Sequence, residues 1–266
     1  MRASRKVLAA AVLLLGLVGC APKVLVVTPA GAGTAMPDLK AAQAMVDAAC
    51  TEPVALTADL RLSGRIEGDR VRGTLQVGVS VDSVRLEGLA PFGAPVFVLA
   101  GRPGQAILLL PRDPAVARGA SPADLLDAVV GVPFGPADLR ALIAGCGFAG
   151  RTAREAATFP GGWTRVAVEG PRVIWLRAGT GGRPVVVAAS DGTWEVSYTR
   201  ADAGWPTAFR VRRVAQGPDG TDAAFAVDAP EALEALPAGA LDVAIPAAAR
   251  EVTVADLRNS RALRER

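Results

Sequence analysis

"RLEGLAPFGAPVFVLAGRPGQAILLL", Arg85 to Leu110, decides how this chain is read. Its runs "PVFVLAG" and "QAILLLPRD" are almost continuously apolar, and "GRPG" between them has a hairpin-turn composition, because glycine supplies positive φ and proline presets the bend. Strands of that composition are either buried on both faces or line an apolar cavity. Just upstream, Phe92 stands between Pro91 and Gly93 at a turn, where polar residues are the rule. A large ring there either projects from the fold or folds back onto the core.

On the N-terminal side the alternation is strict. "VALTADLRLSGRI" places Leu60 and Leu62 on one face, "RVRGTLQVGVSV" does the same with Leu75, Val77, Val79 and Val81, and Val84 and Leu86 resume after "DS". Before them, Asp38 is a plausible N-cap for a short helix with Leu39, Ala42, Val46 and Ala49 on one face. On the C-terminal side the period changes. "SPADLLDAVVG" offers Ser121 as N-cap, Pro122 at the first helical position and Gly131 as terminator, and "GPADLRALIAGC" repeats the scheme from Pro136 to Gly145. Strand patterns then return from "WTRVAVEG" to "DAAFAVDAP", broken by Gly, Asp and Pro every ten or so residues. Eight to eleven strand-like runs interrupted by short helices predict a mainly β, α+β fold. The four tryptophans, Trp163, Trp175, Trp194 and Trp205, are expected in its core.

The two ends read differently. "MRASRKVLAAAVLLLGLVGC" has the positive start, short apolar run and small-residue finish of a secretory signal, and the run is short for a membrane span. Residues 1–19 are thus expected to be removed, 20–37 ("APKVLVVTPAGAGTAMP" after Cys20) to form a flexible tether, and 38–229 to form the folded domain. Residues 230–266, rich in Ala, Pro and Glu with a basic finish, are expected to be a tail, partly disordered or with a short helix.

Composition removes several function classes. The formal charge is +3, from 29 Lys+Arg against 26 Asp+Glu, and Arg2, Arg5 and Lys6 of the signal account for the whole excess. Nothing supports nucleic-acid binding. Histidine is absent, which removes Ser-His-Asp and Cys-His catalysis in their usual forms and the commonest zinc sites. No phosphate loop or dinucleotide fingerprint occurs. Asp59, Glu67, Asp69 and Asp82 fall on polar strand faces or turns, so the expectation is a protein that is not an enzyme, without a metal or cofactor. After Cys20, the remaining cysteines, Cys50 and Cys146, end helical patterns; they form a disulfide or stay as buried thiols.

"LVGC" resembles the lipobox of bacterial lipoproteins, which implies acylation of Cys20 and an envelope location. Ala21 in place of aspartate implies the outer membrane, facing the periplasm. The opening stretch, followed by "ASPADLLDAVVGVPFGPADLRALIAGC" and "GTWEVSYTRADAGWPTAFRV", resembles the LolA/LolB family of lipoprotein carriers and outer-membrane receptors. The shared pieces are the Pro-apolar-Gly turn between strands; Leu125, Leu126, Gly131 and Pro133; Leu139, Arg140, Ile143 and Gly145; and Trp194, Val196, Tyr198 and Pro206. "LSGRI" (62–66) fits the family's first strand, whereas Cys146 and the tail depart from its pattern. The resemblance implies an incomplete, strongly curved antiparallel β-barrel with short helices as a lid over an apolar cavity for lipoprotein acyl chains. Leu75, Val77, Leu86, Val96, Val98, Leu108, Leu110, Leu126, Leu142 and Ile143 are the expected cavity positions. It also implies a membrane-inserting loop at Pro91, Phe92 and Gly93, a periplasmic carrier as partner and a monomeric state. A structural lipoprotein using the same fold without carrying lipid is the alternative.

Overall fold

The computed structural model describes residues 26–90, 93–200, 204–214 and 220–260. Thr34–Ala35 (β1) and Leu39–Ala49 (α1) precede six strands that form one meander: Ala55–Ile66 (β2), Asp69–Ser80 (β3), Val84–Leu89 (β4), Pro95–Arg102 (β5), Gln105–Leu110 (β6) and Ala115–Gly119 (β7). Helices Pro122–Val130 (α2) and Pro136–Ile143 (α3) follow. Seven more strands form a second meander: Glu155–Phe159 (β8), Trp163–Ala167 (β9), Val173–Ala178 (β10), Pro184–Ser190 (β11), Trp194–Thr199 (β12), Ala208–Arg213 (β13) and Asp222–Leu233 (β14). Arg250–Val252 (β15) and Val254–Ser260 (α4) complete the described chain.

The first and last long strands, β2 and β14, pair along most of their length and join the two meanders into one curved, unclosed sheet of fifteen strands. The meanders' outer strands, β7 and β8, are therefore the two margins of the gap. The chain that links them, α2 and α3, has to cross that gap. Each margin is capped by a short extra strand, β1 antiparallel on β8 and β15 parallel on β7, which occupies hydrogen-bonding groups that would otherwise invite edge-to-edge association.

The helices form where their caps dictate. The Asp38 carboxylate accepts from the Ala41 N–H at 3.0 Å and the Ser121 hydroxyl from the Asp124 N–H at 3.2 Å. Gly131 ends α2 in the left-handed region at φ 64°. Inward-facing residues of every long strand, with Ala42 and Val46 of α1 and Leu125, Leu142 and Ile143 of the later helices, make one apolar core.

The register fixes two ends of the half-barrel. The tips between β2 and β3, β4 and β5, β11 and β12, and β13 and β14 share one end, here the mouth. The start of β2, with Cys50 before it, and the end of β14 share the other. From β7, α2 runs toward the mouth, where Gly131 meets the β2–β3 tip so closely that a β-carbon on it would stand 2.6 Å from a Glu67 carboxylate oxygen. Helix α3 returns to the far end.

Three sequence expectations change. Within the expected tether of residues 20–37, Thr34 and Ala35 pair with β8 as β1, and Met36 packs against the core. Residues 230–260 include the expected short helix, α4, but are built into the fold: β14 passes a bulge at Ala229 (φ 45°), Arg85 holds the carbonyls of Ala240 and Asp242, and α4 packs on α2 with Leu257 buried. The sequence hid this because the segment's apolar residues, mostly Ala scattered among Pro and Glu, show no sustained strand or helix period. Of the four tryptophans, Trp194 is buried and Trp205 packs against the core, but Trp163 and Trp175 lie half-buried on the outer face beside Phe159. Their strand neighbours Thr164, Ile174 and Leu176 take the inward positions, and period two leaves the rings outside.

Candidate functional site: an apolar cavity under a helical hairpin

Beneath the α2–α3 bend lies a cavity of about 110 Å³. Leu60, Leu62 and Ile66 of β2 form one wall, Phe209, Val211 and Phe225 another, and Val130, Val132 and Phe134 of the bend form its roof. Thr221 is the one polar residue at its edge, and its hydroxyl accepts the Glu67 N–H at 3.2 Å. Phe97 reaches the cavity because its cross-strand partner is Gly88, where a β-carbon would stand 2.3 Å from the ring. No side chain in this lining titrates in the ordinary range. The surroundings can bury apolar matter and can do no acid–base chemistry.

Six of the ten expected cavity positions line it: Leu75, Val77, Leu86, Leu126, Leu142 and Ile143. The others do not. Leu108 is packed solid within the core, and Val96 and Leu110 are partly buried against it without reaching the cavity. Val98 pairs with Glu87 and Leu109 and sits apart from the core that surrounds the cavity. In a run apolar on every residue, such as "PVFVL", period two cannot be read, so the inward set was not legible there. The roof was missed as well, although "VGVPFG" places three apolar residues in a helix-to-helix loop, which is itself a signal.

The far end is tightly built. Cys50 and Cys146 form a disulfide, 5.2 Å between Cα atoms, that joins the end of α1 to the residues following α3. Beside it, Glu52 is 7% exposed; one carboxylate oxygen meets Arg140 of α3 at 2.5 Å and the other meets Arg151. Arg140 also donates to the Pro53 carbonyl at 2.6 Å, and burial pulls both guanidinium groups below their ordinary pKa. The Gly147 N–H donates to the Tyr198 hydroxyl at 3.0 Å, and burial pushes that hydroxyl up. Arg200 donates to the Gly145 carbonyl at 2.5 Å. Every one of these contacts holds the end of α3.

At the mouth, Gly93 is exposed with φ 78°, and its N–H donates to the Ala90 carbonyl at 2.8 Å. Pro91 and Phe92, like Cys20, lie outside the described residues. Asp59, Glu67, Asp69 and Asp82 are spread over β2, the β2–β3 tip and the β3–β4 turn and do not converge on the cavity.

No family model and no curated protein matches the chain. Among solved structures it is similar to a LolA superfamily protein of Nitrosomonas europaea, at 9% identity and a TM-score of 0.48, over 77% of this chain and 97% of that one. It is similar to a DUF1329 family protein of Desulfovibrio piger, at 12% identity and 0.45, over 77% and 95%. A third is a domain described as a candidate outer membrane lipoprotein-sorting protein of Vibrio parahaemolyticus, at 12% and 0.46, over 77% and 95%. At these values the likenesses carry no functional argument, which has to come from the site.

Proposed function

We propose that this chain is a non-catalytic, lipid-anchored protein of the outer membrane, facing the periplasm, that takes lipoprotein acyl chains under the α2–α3 hairpin and passes them to the bilayer. The observation that carries this reading is an apolar cavity roofed by a helical hairpin that is fastened at the far end and rests on side-chain packing at the mouth. Transfer of each CH₂ out of water is worth about 0.8 kcal/mol, so such a site needs no catalytic group. In this reading Cys20 carries the anchor, Phe92 enters the membrane from the mouth, and a periplasmic carrier delivers the cargo. The cavity is somewhat smaller than the ~150 Å³ cavity that admits benzene in an engineered core, so uptake requires the hairpin to lift. That small volume also favours the second reading, a structural lipoprotein that carries nothing.

The decisive experiment offers a fluorescent fatty acid to the unacylated chain at micromolar concentration. Saturable uptake that falls when Leu62→Glu places a charge in the cavity supports carriage, and absence of uptake supports the structural reading. Phe92→Glu separates the membrane step: uptake unchanged and vesicle binding reduced is the expected result, and unchanged vesicle binding removes Phe92 from that role.

A further inference from the structure

The outer face of the β2–β3 hairpin carries a charge arrangement that cavity binding does not use. Arg65 and Arg70 are direct cross-strand partners, and Arg72 lies opposite Ser63 one position further along the same face. Like charges directly opposite one another are unfavourable in a sheet. All three side chains are exposed. Arg65 donates to the Gly68 carbonyl at 2.9 Å, whereas among the described residues Arg70 and Arg72 make no ion pair and no side-chain hydrogen bond. These three and Arg210 line a groove of about 550 Å³ in which Asp222 is the one carboxylate, and Asp222 is already clasped by Arg210. The groove thus has an uncompensated positive charge at the mouth end of the half-barrel.

A second observation says what lies opposite it. Arg210 also borders the neighbouring groove, about 340 Å³, whose wall includes Val26, Val27 and Thr28, where the described chain begins. Cys20 is six residues before Val26. Six residues span at most about 20 Å, so a lipid on Cys20 holds the bilayer surface within that distance of Val26, in the groove next to the arginines.

We infer that Arg65, Arg70 and Arg72 form a docking surface for the phosphate groups of a bilayer's anionic lipids, which sets the half-barrel mouth-down on its membrane. The guanidinium fork suits phosphate oxygens, and the β4–β5 turn shares this end. The inference rests on the membrane location proposed above but not on acyl-chain uptake.

The test uses the chain from residue 20 onward with Cys20→Ser, exported behind a cleavable signal, and co-sedimentation with phosphatidylcholine vesicles containing none or 30% phosphatidylglycerol. Binding is expected to rise with phosphatidylglycerol and to fall at 0.5 M salt. At about fivefold per arginine, Arg65→Gln, Arg70→Gln and Arg72→Gln together should weaken it on the order of a hundredfold. Since Arg65 holds its own turn, the Arg70→Gln, Arg72→Gln pair, which breaks no ion pair and no side-chain hydrogen bond among the described residues, is the control for folding and should lose roughly 25-fold. Equal binding to both vesicle types, or an unchanged double variant, overturns the inference and leaves an acidic protein as the alternative partner. Fatty-acid uptake should be the same in all variants, so failure of the carriage reading and failure of this one are told apart.

Discussion

The α2–α3 hairpin is held very differently at its two ends. At the far end a disulfide, a carboxylate shared by two guanidinium groups, and arginine bonds to backbone carbonyls converge within the residues around Cys50 and Cys146. At the mouth, Val130, Val132 and Phe134 lie over a void, and the bend meets the β2–β3 tip. A void of about 110 Å³ forfeits about 2.6 kcal/mol at 24 cal/mol per Å³, whereas cross-linking a loop of roughly 100 residues is worth about 4.7 kcal/mol. The stability of the molecule is concentrated where the hairpin is hinged, and the site sits where it is not. Local opening is drawn from the low-stability end of a structure, so the mouth should open while the hinge stays closed.

The comparison breaks most directly at the hinge. Cys50→Ser with Cys146→Ser removes a link across 96 residues and should cost about 4–5 kcal/mol, a fall of roughly 10–20 °C in melting temperature. A melting curve that matches the parent protein would show that the far end is not the fastened one. Next in size is Glu52→Gln. It leaves Arg140 and Arg151 facing each other without their carboxylate in a nearly buried place, and should cost about 3 kcal/mol in denaturant unfolding. Arg140→Gln alone should cost less, because Arg151 keeps Glu52 paired.

The same contrast explains what the sequence could say. The capped helices and the alternating strands from Leu60 to Leu86 were legible, because each rests on local periodicity or on a cap such as Ser121 with Pro122, whereas the half-closed barrel was implied only by the family resemblance. The short strands β1, β7, β8 and β15 were not: "AVARG" and "EAATF" have too little alternation, and their pairing is imposed by the margins of the sheet. The cavity was half legible for the same reason. Leu75, Val77 and Leu86 stand in clean alternation, whereas Phe134, Phe209 and Phe225 come together only through topology. The arginines illustrate the opposite failure. In "RVRG" they take the polar positions of an alternating strand, and only the register against Arg65 and the place of Val26 beside Arg210 bear on the proposed docking role.

At the mouth, Gly131→Ala sharpens the comparison. Its φ of 64° disfavours a side chain, and the new β-carbon would press on the Glu67 side chain, which must swing aside and so loosens the contact between the bend and the β2–β3 tip. The expected cost is about 1 kcal/mol in stability, together with faster fatty-acid uptake, since the displaced contact is one that uptake has to break. Slower uptake would place the entrance elsewhere.

The smallest effect is that of Arg258, on the strap behind α2. Helix α4 packs on α2 through Leu257, and Arg258 meets Asp127 at 3.2 Å with both side chains well exposed. An exposed pair is worth about 0–1 kcal/mol, so Arg258→Ala should leave the melting temperature within a degree or two. Leu257→Ala removes buried apolar surface and should cost about 2 kcal/mol. If α2 moves with the bend when the mouth opens, Leu257→Ala should also raise the uptake rate, and Arg258→Ala should raise it slightly. If α2 stays on β7 and only Val130 to Phe134 swing, stability falls in Leu257→Ala with no change in uptake. The pair of variants therefore measures how far from the mouth the moving part of the hairpin extends.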